Sequence, residues 1–451
     1  MENVNVATLD RLNTELLKVQ MELAETPATA ADLDIESSTS EEDDTDIEAD
    51  NQNEELTEPF DPEEISINTR LVSMENCLRR LIQGTIKLNP DFQRNEVWLN
   101  DRKSRLIESL MLKIPLPMFY VSADEKGNFT VVDGLQRLST IRSFILGDEY
   151  LKALANKEQK IIPDYMRGNG FKLEGLEFWK VYESKTFNDL PINIQNRILD
   201  TEFTFTVINP GTPEEVRRNI FKRINTGGLP LSSQEIRNAL YMGQSSVLLK
   251  ELSLYAEFKQ ATGKIKVLRM EDRELILRFI AFFVRDYTSY KRTVSVDTFL
   301  SDTMIIVNAM PTFDSPEFKR FADKEKDKDK KIQRADIIAS DINKIKECFK
   351  KGMNRSYALF GNHTFRKSYD GKRKSQLNKS LFEMWGTLLG QLTDNEFSIL
   401  IKNREALMLN YQPLLDESAF QLAISKDSMK HTSVKYRFDA LKELINKNIQ
   451  E

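Results

Sequence analysis

The chain is poor in cysteine and has no long hydrophobic run. Two cysteines among 451 residues, Cys77 and Cys348, cannot build a disulfide framework. The sequence starts without the basic region and apolar run of a secretion signal. Its most apolar stretch, residues 279–284, is far shorter than the roughly 20 residues that a membrane-spanning helix needs. These absences predict a cytoplasmic protein with no membrane partner.

Histidine is equally scarce, since His363 and His431 are the only two in the chain. Two imidazoles exclude a metal centre with three or more histidine ligands within one chain. They also make a histidine-dependent nuclease hard to build, because such an enzyme needs a histidine base beside a metal held by His, Asn or Asp.

Charge is distributed unevenly along the sequence. Residues 1–64 contain 21 acidic and two basic residues, whereas residues 65–451 contain 49 acidic and 62 basic residues. The net charges of these two parts are therefore −19 and +13. A basic body suits a polyanionic partner such as nucleic acid or a nucleotide, and an acidic block can compete for the same surface. A merely solubilising acidic arm explains the asymmetry equally well.

The hydrophobic pattern divides the chain into three parts. Residues 1–64 combine a short amphipathic helix with a segment too polar to bury a core, which predicts a largely disordered acidic arm. Residues 65–240 mix strand and helix patterns, with strands at 118–121, 129–132 and 204–208, the first two forming a hairpin. Residues 241–451 have helical periodicity throughout. The sequence thus predicts an α+β fold followed by an α-helical C-terminal domain.

Helix start and stop signals give more local predictions. The pattern indicates a helix from Leu71 to Ile82 and another capped by Asn100 or Asp101. A third helix follows Asp133-Gly134 and ends at Gly147, and a fourth opens with a capping box formed by Ser232 and Glu235.

The first candidate site segment lies between a strand and a helix. Phe92 and Trp98 are best interpreted as core anchors. Gln93 and Arg94 are rich in hydrogen-bond donors and are held between these two apolar residues. We therefore expect these two polar side chains to point into a pocket.

The second segment is a strand, a tight turn and a helix start, Asp133-Gly134-Leu135-Gln136-Arg137. Glycine lets the backbone approach a ligand closely, and the free N–H groups that open a helix form a seat for phosphate. The arginine adds a bidentate donor for phosphate oxygens. Alternatively, the aspartate is an ordinary N-cap.

The third segment gathers donors at the end of a helix. Arg223, Asn225 and Thr226 precede Gly227, a position that permits close backbone approach. A plain helix stop explains the glycine equally well.

A basic segment in the C-terminal part mixes aromatic and cationic residues, which stack on bases and pair with phosphates. The aromatic residues are Phe365 and Tyr369, and the candidate DNA-binding cations are Arg366, Lys367, Lys372, Arg373 and Lys374. An exposed basic loop without a ligand is the alternative interpretation.

Five linked motifs carry a family resemblance. They are Pro90 to Arg94, Leu106 to Ser109 with Ile114-Pro115, Asp133 to Arg137, Arg223 to Gly228, and Gln234 to Arg237. In this order and spacing, over roughly residues 65–255, they resemble the N-terminal domain family of GmrSD-type modification-dependent restriction systems. One departure is Leu135, where the family has glutamine.

The resemblance implies a small mixed sheet similar to ParB and sulfiredoxin, in which the Asp-Gly-x-Gln-Arg turn binds nucleotide phosphate. Family members look like nucleotide-dependent parts of anti-phage restriction machines. Many carry an HNH-type nuclease domain with a His-x-x-Pro signature, which neither His363 nor His431 matches. We therefore expect DNA cleavage to come from a separate nuclease subunit.

The leading hypothesis is an NTP-binding and NTP-hydrolysing regulator of DNA restriction. Its catalytic residues are Asp133, which holds Mg²⁺ or orients water, and Arg137, which neutralises phosphate. The other predicted nucleotide-binding residues are Gln93, Arg94, Gly134, Gln136, Arg223, Asn225, Thr226 and Gly227. A non-enzymatic nucleotide or DNA sensor is the alternative, and a direct nuclease built on Asp91 and Asp133 is the third possibility.

Overall fold

The protein folds as two compact units that divide between Leu231 and Ser232. The computed structural model describes residues 47–48, 65–88, 98–147, 150–151, 168–224, 232–263, 265, 269–292, 294–315, 318–319 and 334–450. The division lies N-terminal to the boundary predicted at residue 240. Ile47 and Glu48 belong to the second unit, and the rest of the predicted acidic arm lies outside the described residues.

The first unit is an α+β domain around a five-stranded sheet with strand order β1-β5-β3-β4-β2. Strands β1 and β5, and β3 and β4, pair antiparallel, whereas β3 with β5 and β2 with β4 pair parallel. This mixed sheet confirms the predicted fold class. The elements in chain order are β1 (Ile67–Ser73), α1 (Met74–Ile82), β2 (Ile86–Lys87), α2 (Asn100–Met111), β3 (Phe119–Ala123), β4 (Phe129–Asp133), α3 (Leu135–Leu146), α4 (Ile192–Leu199), β5 (Glu202–Ile208) and α5 (Glu214–Ile224).

The hairpin of β3 and β4 confirms the strand prediction and places the candidate turn. Its connection is closed by Asp124, whose Oδ1 accepts hydrogen bonds from the backbone N–H groups of Lys126 and Asn128 at 2.9 and 2.8 Å. Apolar residues on both strands are buried in the core, among them Val121 and Val131. The return strand therefore delivers Asp133 to the edge of the core, directly before α3.

Two local predictions are wrong. The helix predicted from Leu71 begins at Met74, because residues 67–73 pair along their whole length with β5. The predicted cap at Asn100 or Asp101 is also wrong, since Leu99 occupies the N-cap position of α2 and contributes no side-chain hydrogen bond. Sequence signals mark a helix start only to within a turn, and sheet pairing overrides local periodicity.

The core of the first unit packs α3 against the sheet. Phe119 is fully buried, with its ring centroid 5.3 Å from that of Phe203 and 5.4 Å from that of Phe205. Leu138 and Ile141 of α3 are also fully buried. The first turn of α3 is therefore held at a fixed position at the end of β4.

The second unit is all helical in its described part, apart from isolated bridges, which confirms the predicted helical region. The predicted capping box is confirmed, because Glu235 N–H donates to Ser232 Oγ at 3.2 Å and Ser232 N–H donates to Glu235 Oε2 at 2.6 Å. Its helices are α6 (Ser233–Leu240), α7 (Gln244–Ser253), α8 (Ala256–Thr262), α9 (Glu271–Val284), α10 (Val296–Ala309), α11 (Ile342–Phe360), α12 (Lys379–Gln391), α13 (Asp394–Lys402), α14 (Arg404–Asp416), α15 (Ser418–Ile424) and α16 (His431–Gln450).

A buried chain of charges links helices of the second unit. Arg437 pairs with Glu383, and Arg278 Nη1 lies 3.4 Å from Glu383 Oε2. Arg278 Nη2 and Lys379 Nζ lie 3.1 and 3.2 Å from Glu274 Oε1. Burial raises the pKa of Glu274, but Lys379 and Arg278 outweigh burial and hold that pKa well below its usual range. Each of these charges thus lies beside at least one opposite charge.

None of the helices in these described ranges combines the length and the apolar character that crossing a membrane requires.

Candidate functional site

The turn between β4 and α3 depends on Gly134. Its backbone has φ 89° and ψ 12°, in the left-handed region. A Cβ at this position would lie 2.3 Å from Phe119 Cδ1. Both the backbone conformation and the close contact with the Phe119 ring therefore require glycine.

The helix that follows this turn has no side-chain cap. Gly134 is the N-cap residue of the 12-residue helix α3, so no side-chain oxygen accepts a hydrogen bond there. Asp133 lies one residue earlier, which excludes the alternative that it is the N-cap. The first-turn N–H groups of α3 and its positive dipole end consequently have no side-chain cap among the residues that the structure describes.

Arg137 folds back from the first turn of α3 onto Asp133. Its Nη2 lies 3.0 Å from Asp133 Oδ2 and donates to the carbonyl oxygen of Met118 at 3.3 Å, while Nη1 donates to the carbonyl oxygen of Pro117. The guanidinium also lies 4.6 Å from the centre of the Phe119 ring. Burial lowers the pKa of Arg137, and the charge of Asp133 opposes that shift. Arg137 therefore fixes the turn to the start of β3.

At this turn Asp133 is the one carboxylate that could contribute to a magnesium site. Within the described ranges, no group of three or more His, Cys, Asp or Glu side chains is placed to hold a metal. The Asp133 side chain is 35% exposed, and only its Oδ2 bonds to Arg137. Mg²⁺ commonly takes one or two carboxylates together with phosphate oxygens and water. Asp133 would be that carboxylate.

Of the remaining predicted nucleotide-binding residues, the structure describes only Gln136 and Arg223. Gln136 is half-buried on the first turn of α3, and Arg223 is exposed near the end of α5. The predicted residues that lie outside the described ranges are Asp91, Gln93, Arg94, Asn225, Thr226 and Gly227. The structure thus brings together Asp133, Gly134 and Arg137, and the roles of all these residues stay predictions.

Glu108, from the Leu-Ile-Glu-Ser motif, binds backbone N–H groups inside the domain, a role that the sequence did not reveal. It is 3% exposed, and its carboxylate accepts hydrogen bonds from the backbone N–H groups of Glu177, Phe178 and Trp179 at 2.9, 2.8 and 2.8 Å. Three backbone donors thus satisfy the acceptor oxygens of this buried carboxylate. Glu108 stands among the apolar residues of α2, and this position in the sequence is the feature that could have indicated a buried carboxyl group.

Two neighbouring side chains, those of Ser104 and Glu183, bind the backbone of the same loop. Ser104 Oγ accepts from Glu174 N–H at 2.9 Å, and the Glu183 carboxylate accepts from the N–H groups of Gly175 and Leu176 at 2.6 and 3.2 Å. Six consecutive backbone donors, from residue 174 to residue 179, are therefore held by side-chain oxygens. The motif glutamate positions this loop.

The basic segment of the second unit separates into buried and exposed cations. Arg366 is 4% exposed and donates to the carbonyl oxygens of Thr262, at 3.1 Å, and Ser375. Arg366 stabilises the loop from inside. Its guanidinium is not exposed, so the structure does not support the prediction that it contacts DNA. The cations that remain candidates for DNA are the half-buried Lys367 and the exposed Lys372, Arg373 and Lys374.

Comparison with known proteins agrees with the motif-based resemblance. Residues 76–242 match the family model of the GmrSD restriction endonuclease N-terminal domain, a range that includes all five motifs. No curated protein and no solved structure matches the chain, so the similarity to ParB and sulfiredoxin stays a prediction. The matched range is less than half of the chain and includes the turn from Asp133 to Arg137. Residues 76–242 of this protein are thus similar to the GmrSD restriction endonuclease N-terminal domain.

Proposed function

We propose that this protein is a nucleotide-binding and nucleotide-hydrolysing component of a DNA restriction or anti-phage defence system. The family match supports the restriction role. The turn at Asp133-Gly134 carries the nucleotide part of the proposal, because it joins a left-handed glycine to an uncapped helix start. Phosphate is the ligand that such a backbone arrangement favours.

The chemistry follows from the charges at this turn. The first-turn N–H groups of α3 would bind phosphate oxygens, with the positive charge of Arg137 close behind them. Asp133 would orient the attacking water or share a Mg²⁺ with the phosphates. Mg²⁺ would supply charge neutralisation on the transferred phosphoryl group. Gln136, on the first turn of α3, would donate a hydrogen bond to a phosphate oxygen.

A non-enzymatic sensor is the second candidate, and the Asp133–Arg137 pair is the observation that favours it. Both charges are engaged with each other at 3.0 Å, and Leu135 replaces the polar residue of the family motif. A site of this kind binds phosphate through its backbone without needing a free acid or base.

Calorimetric titration of the full chain with ATP, GTP, CTP and UTP, with and without Mg²⁺, tests nucleotide binding. Phosphate release with and without DNA then separates the two candidates. We expect one or more nucleotides to bind and Mg²⁺-dependent release to follow. Binding without release would support the sensor, and no binding of any of the four would refute both.

DNA cleavage is expected to be absent from the purified chain. Neither histidine has the local sequence of an HNH nuclease, so modified and unmodified DNA should remain intact with NTP and either Mg²⁺ or Mn²⁺. Supercoiled-plasmid nicking measures this. Nicking that survives His363→Ala with His431→Ala, but disappears with Asp133→Ala, would instead identify the turn as a nuclease.

The acidic arm contacts the basic segment through Glu48. Its carboxylate pairs with Lys367 and accepts a hydrogen bond from Asn378 Nδ2 at 2.8 Å, and its N–H donates to the Leu377 carbonyl oxygen at 2.8 Å. Glu48 therefore pairs with Lys367, which is one of the candidate DNA-binding cations.

Removal of residues 1–64 is expected to strengthen DNA binding about tenfold at low salt and to steepen its salt dependence, because the −19 arm no longer competes for the +13 body. Fluorescence anisotropy measures both. Glu48→Gln should reproduce part of the gain, whereas Glu443→Gln, a charge-matched change on an exposed residue of α16, should not. Equal affinities for the full and shortened chains would leave the arm as a tether.

A further inference from the structure

A pocket of about 320 Å³ lies within the second unit, at the low end of the range for small-molecule sites. Its inner wall is aromatic. The ring centroid of Phe360 is 4.8 Å from that of Trp385 and 5.5 Å from that of Tyr411, and Trp385 Nε1 donates to the Tyr411 hydroxyl at 2.9 Å. The three rings are tilted against one another, at 59° for Phe360 and Trp385 and 49° for Phe360 and Tyr411. They offer aromatic edges and small areas of ring face to a ligand, since each is less than a tenth exposed.

Polar groups also line this pocket. They include His363, Asp370, Arg404, Glu405 and Gln412. Arg404 Nη2 donates to Asp370 Oδ2 at 3.1 Å, and Arg404 Nε donates to the Leu359 carbonyl oxygen at 2.6 Å. A guanidinium, a carboxylate, an imidazole and an amide together offer donors and acceptors to the edge of a heterocycle.

A hydrolytic triad does not explain these residues. Ser368 Oγ lies 2.8 Å from His363 Nδ1, but His363 Nε2 is 4.0 Å from Asp370 Oδ1. Ser368 is 7% exposed, and its Oγ accepts the N–H of Ser375 at 3.0 Å. A nucleophile would need an accessible oxygen. Ser368 instead fixes the imidazole and the loop.

The chain beside the pocket is strongly basic. Residues 365–374 contain five cations and one carboxylate. Arg366 is buried and Lys367 pairs with Glu48, and the exposed Lys372 has its Nζ 3.6 Å from Asp416 Oδ1. Tyr369, which lines the pocket, has the Lys372 ammonium 4.1 Å from its ring centre. Arg373 and Lys374 are exposed in the same loop. Positive charge therefore adjoins an aromatic pocket, and this pairing is characteristic of sites for bases with attached phosphates.

We propose that this pocket binds the base of a nucleotide unit, with the phosphate on the basic loop formed by residues 372–374. The unit is either a free nucleotide or an unstacked base of DNA, since both present the same flat heterocycle and phosphate. The DNA contact proposed for the basic segment would then include a site for a base as well as for phosphate. It does not depend on nucleotide binding at Asp133.

The test compares Gln412→Trp, which fills the pocket from α14, with Asn410→Trp, a substitution on the same helix at an exposed residue that does not line the pocket. The probes are a labelled single-stranded oligonucleotide, the same oligonucleotide with abasic positions, and unlabelled mononucleotides as competitors. We expect Gln412→Trp to weaken binding of the intact oligonucleotide tenfold or more and Asn410→Trp to change it less than twofold.

Wild type should bind the abasic oligonucleotide more weakly than the intact oligonucleotide. The Gln412→Trp variant should bind both oligonucleotides with the same affinity. Competition by mononucleotides that persists in Arg137→Ala but is lost in Gln412→Trp would identify a free nucleotide as the occupant. If Gln412→Trp fails to fold by circular dichroism, Tyr369→Leu replaces it. Equal affinity of wild type and the pocket variant for every probe would overturn the proposal, whether or not the turn binds NTP.

Discussion

The substitution Arg137→Ala is expected to abolish nucleotide binding and to lower the free energy of unfolding by about 1–3 kcal/mol. The loss of binding follows from removing the positive charge behind the proposed phosphate seat. The loss of stability follows because Asp133 and the carbonyl oxygens of Pro117 and Met118 all lose a donor. From the sequence alone we expect the same loss of nucleotide binding with the fold left intact, because alanine is tolerated at a helix start. The contacts of this guanidinium correct the second part of that expectation.

Two further variants separate these effects. Gln136→Ala leaves the contacts of Arg137 intact, so it should weaken nucleotide binding without destabilising the domain. Arg137→Lys keeps the charge but not the forked geometry, so it should retain part of the binding while losing stability. Calorimetry with the NTP panel and urea unfolding by circular dichroism measure the two properties. Undiminished nucleotide affinity in folded Arg137→Ala would remove this turn from the site.

Local patterns were enough to predict the parts of the fold that form locally. The β3–β4 hairpin has alternating apolar residues and a polar connection, and the structure contains it. The tight turn before α3 was also predicted from the glycine, and the structure places Gly134 there with a left-handed backbone. The predominance of helix beyond residue 240 follows from periodicity alone.

Contacts between distant parts of the chain could not be predicted in the same way. Leu71 has helical spacing with its neighbours, yet β5, more than 130 residues later, draws it into a strand. Arg366 looks like a surface cation until the structure shows its guanidinium bonded to the Thr262 carbonyl oxygen. Burial of a polar side chain depends on partners that local sequence does not specify.

Glu108 is the clearest case of a motif residue whose partners lie far along the chain, and its replacement should destabilise the first unit. We expect Glu108→Gln to lower the free energy of unfolding by about 1.5–3 kcal/mol. The amide oxygen can keep the two bonds that Oε1 accepts from Phe178 and Trp179, but the NH₂ group would then face the Glu177 N–H that Oε2 now accepts. Urea unfolding followed by circular dichroism measures the loss.

The charge-matched control is Glu177→Gln, an exposed side chain on the anchored loop, which should change stability by less than about 0.5 kcal/mol. Hydrogen exchange provides a second measurement, because the amides of Glu177, Phe178 and Trp179 should lose protection in Glu108→Gln but not in the control. A catalytic role would give the opposite pattern. If Glu108→Gln kept its stability and amide protection but lost phosphate release, this glutamate would act on the substrate, and the structural assignment made from its three backbone contacts would be wrong.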